Sequence, residues 1–291
     1  MQARKSAHFA SLRGVLCALG LSCILSSTAL AVPITYTYPN ASGSTVDFSN
    51  ISETPTLASA LDQAAHFTAI DPLAGPFGAP TASGNSLSFN PSSFTLAVTG
   101  PAKITDPATA DILDSQLNFT ISAKAGYGID SFAVQEAGDV FFGFGATSKS
   151  WAAVAAAINV SVTQIDGKAV TPVWVPSANA VFIPTGSFNG AANPLSTIWT
   201  GSGVIDISGY LASQNILGTA TKIDVSLDNT LYAGSGDVNK LVKIQKKLFD
   251  GTSFTVTTTP GNPVPEPSSI VLAAMGMLGV GWYGRRNLRR K

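Results

Sequence analysis

A period of two runs through most of this chain and constrains its fold more than any other feature. Ile223, Val225 and Leu227 alternate with Asp224, Ser226 and Asp228 up to Asn229. Leu117, Phe119, Ile121 and Ala123 alternate with Asn118, Thr120 and Ser122. Further strands are marked by Phe94, Leu96 and Val98, by Ile158, Val160, Val162 and Ile165, and by Val204, Ile205 and Ile207. Successive side chains of an extended chain point to opposite faces, so each run carries one apolar and one polar face. Asp166-Gly167 and Asp250-Gly251 are hairpin signals, the second joining 241–248 to 254–258. Val46 and Phe48 open a first strand. One stretch has a helical period instead: Leu57, Leu61, Ala64, Ala65 and Thr68 share a face between Pro55 and Asp71-Pro72. The expected fold is mainly β, an antiparallel β-sandwich-like domain with one short helix.

The two ends read differently. Residues 1–31 have the layout of a signal peptide: basic Arg4, Lys5 and Arg13, an apolar core over 14–25, and the small-x-small site Ala29-Leu30-Ala31. Cleavage there starts the mature chain at Val32. Both cysteines, Cys17 and Cys23, lie in this segment, so disulfides and cysteine metal sites are not expected in the remainder. At the other end, Val264-Pro265-Glu266-Pro267 precedes a charge-free run over 268–283, then Arg285, Arg286, Arg289, Arg290 and Lys291. A helix over that run spans about 24 Å against a hydrocarbon core of ~30 Å, a marginal transmembrane helix. Gly276, Gly279 and Gly281 weaken it further, while the basic cluster holds the end cytoplasmic. Pro265 and Pro267 keep Glu266 extended and clear of the helix, where a processing enzyme can grip it.

This combination resembles the PEP-CTERM sorting signal of Gram-negative bacteria. The likeness covers 263–291 and implies recognition and cleavage by an exosortase-like membrane enzyme, after export by Sec-type secretion machinery. It implies that Pro265, Glu266 and Pro267 are the recognition residues and that the arginines form a basic retention tail. It also implies a transient stop in the inner membrane, then the cell surface or an exopolysaccharide matrix, as in biofilms. Two interior stretches, 77–91 and Leu227–Leu231 with Lys246-Lys247, resemble segments of such proteins' ectodomains.

Between the targeting segments lies a β-rich extracellular domain, 32–262. Nine lysines, no arginine and sixteen acids fall between Val32 and Val264, a net charge of −7. An acidic, arginine-free domain is a poor partner for nucleic acid, whose binding rests on basic contacts to phosphate.

Candidates for chemistry are few. His66 is the single histidine of the mature chain and has no Gly-x-Ser-x-Gly elbow to serve, so a structural role is expected. Carboxylates are numerous enough for a glycosidase pair; Glu53 and Glu136 are the only glutamates of the mature chain before Glu266, and Glu136-Ala137-Gly138-Asp139 is the most suggestive cluster, for which the expectation is a turn between strands. Asp224, Asp228, Asn229 and Asp237 could supply oxygens to calcium, but surface charge is the expected reading. Phe141, Phe142 and Phe144 could form an aromatic platform, and Trp151, Trp174 and Trp199 could stack on sugars; core packing is the expectation for all six. Lys243, Lys246 and Lys247 read as a solvated strand face. The functional expectation is an exported structural or adhesive surface protein, not an enzyme, with no cofactor and no metal. The alternative is a carbohydrate-binding module, and a secreted hydrolase is the less favoured third.

Overall fold

The computed structural model describes residues 35–56, 75–91, 93–193, 195–246 and 252–260. The expected helix at 57–70, His66, Lys247, Asp250-Gly251, both targeting segments and every sorting and cleavage residue lie outside them.

The described chain forms sixteen antiparallel strands and one short helix. Four strands near the start of the chain are short: β1 (Tyr36–Thr37), β2 (Ala41–Ser42), β4 (Thr81–Ser83) and β5 (Ser86–Phe89). The long strands are β3 (Val46–Thr56), β7 (Thr109–Ala123), β8 (Tyr127–Phe142), β9 (Ser150–Ile165), β10 (Lys168–Asn179), β13 (Ser196–Asp206) and β14 (Ala220–Ser235). β6 (Thr95–Thr99), β11 (Val181–Ile183), β12 (Ser187–Asn189), β15 (Leu241–Lys246) and β16 (Thr252–Pro260) complete the set. Helix α1 (Ile207–Ser213) follows β13 directly, capped by Asp206, whose carboxylate accepts from the Gly209 amide. The sequence reads Ile207 as strand; the cap turns the chain there instead.

One sheet curls over on itself to make two layers. In the first, β14 is central, with β7 and then β3 on one side and β9 and then β10 on the other. In the second, β8 is central, paired with β13 along most of its length and with β16 and β15 along successive stretches. The layers meet edgewise at Ala220↔Ile129. Asp166 and Gly167 both have positive φ, 48° and 74°, the geometry of the tight hairpin between β9 and β10 that the Asp-Gly pair predicts.

Buried residues from Val46 to Val256 form one apolar cluster between the layers. Aromatic rings cross it: Phe119 of β7 stands 5.1 Å from Phe254 of β16, which stacks on Phe132 of β8 at 5.7 Å. Such pairs contribute roughly 0.5–1.5 kcal/mol beyond their buried area.

Candidate functional site

The outward face of the first layer is lined with polar side chains because the period of two places them there. On β14 Asp224 and Ser226 point out while Ile223, Val225 and Leu227 point in. Their neighbours on β7 are Thr120 and Asn118, and on β9 Ser161 and Asn159. Asn50 joins this row from β3, where the register with β7 breaks between Ser49 and Ser52 and Asn50 takes a positive φ of 54°. Its amide donates to Thr120 Oγ1 at 3.3 Å, and Thr120 Oγ1 donates to Asp224 Oδ1 at 2.7 Å. Gln116 Nε2 donates to Ser226 Oγ at 2.8 Å and to Asn118 Oδ1 at 3.2 Å. These contacts fix the amides and hydroxyls of a shallow cleft of about 680 Å³. Trp174 of β10 forms its wall opposite Ser161 and is 67% exposed. An indole beside fixed amides, hydroxyls and one carboxylate offers an apolar plate with hydrogen-bonding groups next to it.

The expectation that all three central tryptophans pack in the core is corrected. Only Trp199 does: it is fully buried and meets Phe182 edge-on at 5.7 Å. Trp151 of β9 is 40% exposed and is the cross-strand partner of Gly234 on β14. Strand parity likewise divides two of the phenylalanines, since on β8 Phe142 is buried while Phe141 is partly exposed, and Phe144 is exposed beyond the strand's end. No aromatic platform forms from the three.

The remaining acidic candidates do not converge on one site. Glu136-Ala137-Gly138-Asp139 is no turn but the interior of β8. The strand passes through Gly138 because its cross-strand partner Trp199 lies against the position a Cβ would take. Asp224 and Asp228 point outward, Asn229 is buried, and Asp237 accepts from Thr147 and Ser150 in a loop. No cluster of His, Cys, Asp and Glu suited to a metal occurs among the described residues.

Lys246 is not a solvated lysine. Its side chain is fully buried, its Nζ donates to Glu136 Oε1 at 2.6 Å, and the rings of Phe77 and Phe94 lie 5.3 and 5.2 Å away. Asn229 Nδ2 donates to the same oxygen. Nearby Glu53, also buried, accepts from Ser115 Oγ at 2.7 Å, Tyr38 Oη at 2.8 Å and the Phe77 amide at 3.2 Å. Burial raises the Glu53 carboxyl to about 7, against the pull of those donors and of Lys246. Burial also lowers Lys246, opposed by Glu136. Neither Glu53 nor Glu136 faces the cleft or solvent, so the geometry of a glycosidase pair is not met.

No helix among the described residues is long and apolar enough to cross a membrane. The PEP-CTERM protein-sorting motif matches residues 263–287. No curated protein matches the chain. Among solved structures, a complex of TmCBM61 with beta-1,4-galactotriose is similar over 58% of this chain and 84% of its own, at 12% identity and a TM-score of 0.22. A carbohydrate-binding module specific for non-crystalline cellulose, CBM28, is similar over 58% and 80%, at 13% identity and 0.23. The enzymatically active domain of bacteriophage CBA120 tailspike protein 4 is similar over 57% and 20%, at 11% identity and 0.16. Scores of this size assign neither a fold family nor a ligand.

Proposed function

We propose, for what is a PEP-CTERM sorting-motif protein, exported and sorted by an exosortase-type system, that the β-rich domain holds a polysaccharide chain in the cleft beside Trp174. The domain is then an adhesive component of the cell surface or of an exopolysaccharide matrix, and the tail is its delivery address. The observation that carries this reading is the two-thirds exposed Trp174 set over amides and hydroxyls already fixed by their own hydrogen bonds. Most of this apolar ring stands in water at the cleft wall, and the faces of sugar rings are apolar while their edges carry hydroxyls. Gln116, Asn118 and Asn159 supply donors and acceptors suited to those edges. Acidic Asp224 and basic Lys222 at the same cleft favour a neutral or zwitterionic chain over a strongly anionic one.

Affinity electrophoresis of the secreted protein through gels containing the producer's exopolysaccharide, or neutral β-linked glucans and galactans, tests this. The expected result is retardation that Trp174→Ala weakens about tenfold, equivalent to roughly 1.4 kcal/mol. Unretarded wild-type protein, or retardation unchanged by Trp174→Ala and Asn118→Ala, overturns the assignment.

A further inference from the structure

The cluster between the layers is not used by the cleft and stands independently of it. Lys246 and Asn229 occupy different layers, one on β15 and the other on β14, and both donate to Glu136 Oε1 from β8. Two donors sharing one acceptor oxygen at ordinary lengths lie at most about 6 Å apart. We propose that Lys246 and Asn229 become joined by an amide bond between Nζ and Cγ, with Glu136 carrying the proton and ammonia leaving.

The chemistry balances with the groups present. One ammonium proton passes to Glu136, leaving a neutral amine whose nitrogen pair attacks Asn229 Cγ. Glu136 then gives its proton to Nδ2 while taking a second from Nζ, the Cγ–Nδ2 bond breaks, and ammonia departs. Glu136 ends as a neutral acid, and a buried ammonium–carboxylate pair has become a neutral amide and a neutral carboxyl. No oxidant, metal or nucleotide enters.

Four observations support the reaction at this place. The amine is dry: Lys246 and Glu136 side chains have no exposed surface, and burial favours the neutral, nucleophilic form of Lys246. Phe77 and Phe94 wall the amine and keep out the water that would otherwise compete for Cγ. Rigid strands hold the reactants, so the encounter is effectively intramolecular, where orientation alone supplies large accelerations. Lastly, Glu136 Oε2 and Asn229 Oδ1 are buried without a hydrogen-bond partner among the described residues, an arrangement that is costly to keep in a dry interior. A half-turn of the Asn229 amide sets its oxygen toward Glu136, which then polarises Cγ for attack.

The test is mass. Full-length gene product is isolated from its producing cells, shown to be folded, and its intact mass compared with the sequence between its observed termini. The expected mass is short by one ammonia, and proteolysis yields a branched peptide joining residues 229 and 246. Glu136→Gln and Asn229→Ala are expected at full mass. Lys246→Met is expected at full mass as well, whereas a cyclic imide formed at Asn229 alone would keep the ammonia loss in that variant. Folded wild-type protein at full mass overturns the proposal, as does a deficit that survives Lys246→Met. A deficit of one water in place of ammonia would assign the bond to a carboxylate and would equally overturn it.

Discussion

Strand β14 carries polar groups to two opposite fates. Asp224 and Ser226 point outward into a wet cleft, where hydroxyls and amides of β7 meet them. Asn229 points inward, in the row of Ile223, Val225, Leu227 and Leu231, and meets a buried carboxylate. The outer groups contribute little to folding, because water satisfies them almost as well in the unfolded chain. The inner groups are under strong mutual constraint, because each that loses its partner is left charged or unpaired in a dry place. The comparison teaches that parity along a strand, more than residue type, decides what a polar side chain does here.

Removing an inner partner tests the contrast most severely. Glu136→Ala leaves Lys246 buried without its carboxylate and is expected to cost about 3–5 kcal/mol in denaturant unfolding. A loss below about 1 kcal/mol would place the pair among solvated ion pairs and end the distinction between the two faces.

A second test uses pH. Glu53 titrates near 7 in the folded protein, raised from 4.5 by burial. Between those values the unfolded chain ionises this group and the folded chain does not, so stability falls as pH rises from 4.5 to 7. The expected fall is on the order of 3 kcal/mol. It is read as the difference between wild type and Glu53→Gln in unfolding free energy at pH 5 and pH 8. A stability gain with rising pH that Glu53→Gln removes would reverse the assignment and make Glu53 a stabilising anion.

The smallest effect belongs to the outer face. Asp224→Ala frees Thr120 to bond with water and is expected to change stability by less than about 1 kcal/mol while weakening polysaccharide retardation several-fold. A stability loss matching that of Glu136→Ala would show that the cleft is a structural element and not a binding surface.

Most of the fold was legible from periodicity. The apolar rows of β6, β7, β9, β14 and β16 coincide with buried residues, and the Asp166-Gly167 turn has the required backbone. β8 was not legible over 136–139, because Gly138 and Asp139 imitate a turn; only the opposing Trp199 explains the glycine. The inner cluster had a signal that propensity alone passes over. Asn229 follows Ile223, Val225 and Leu227 at the same spacing, and Lys246 follows Val242 and Ile244, so both fall on positions reserved for apolar side chains. A polar residue in an apolar row ends a strand or enters a core, and local sequence does not say which. Trp174 was named as one of three tryptophans that could stack on sugars, but its exposure was not legible for the converse reason: nothing local to β10 tells that a tryptophan among Val173 and Val175 faces solvent.

β16 is the last described strand before the sorting motif, and it is held on both sides. β8 pairs with it along one edge, and β5, from more than half a chain earlier, pairs with it along the other. Contacts so distant in sequence form slowly, since a long loop must close before they gain anything. β8 can pair with β13 and β15 without β16, but β5 has its long-range partner only once β16 exists, so the strand nearest the sorting motif is the one that completes the second layer.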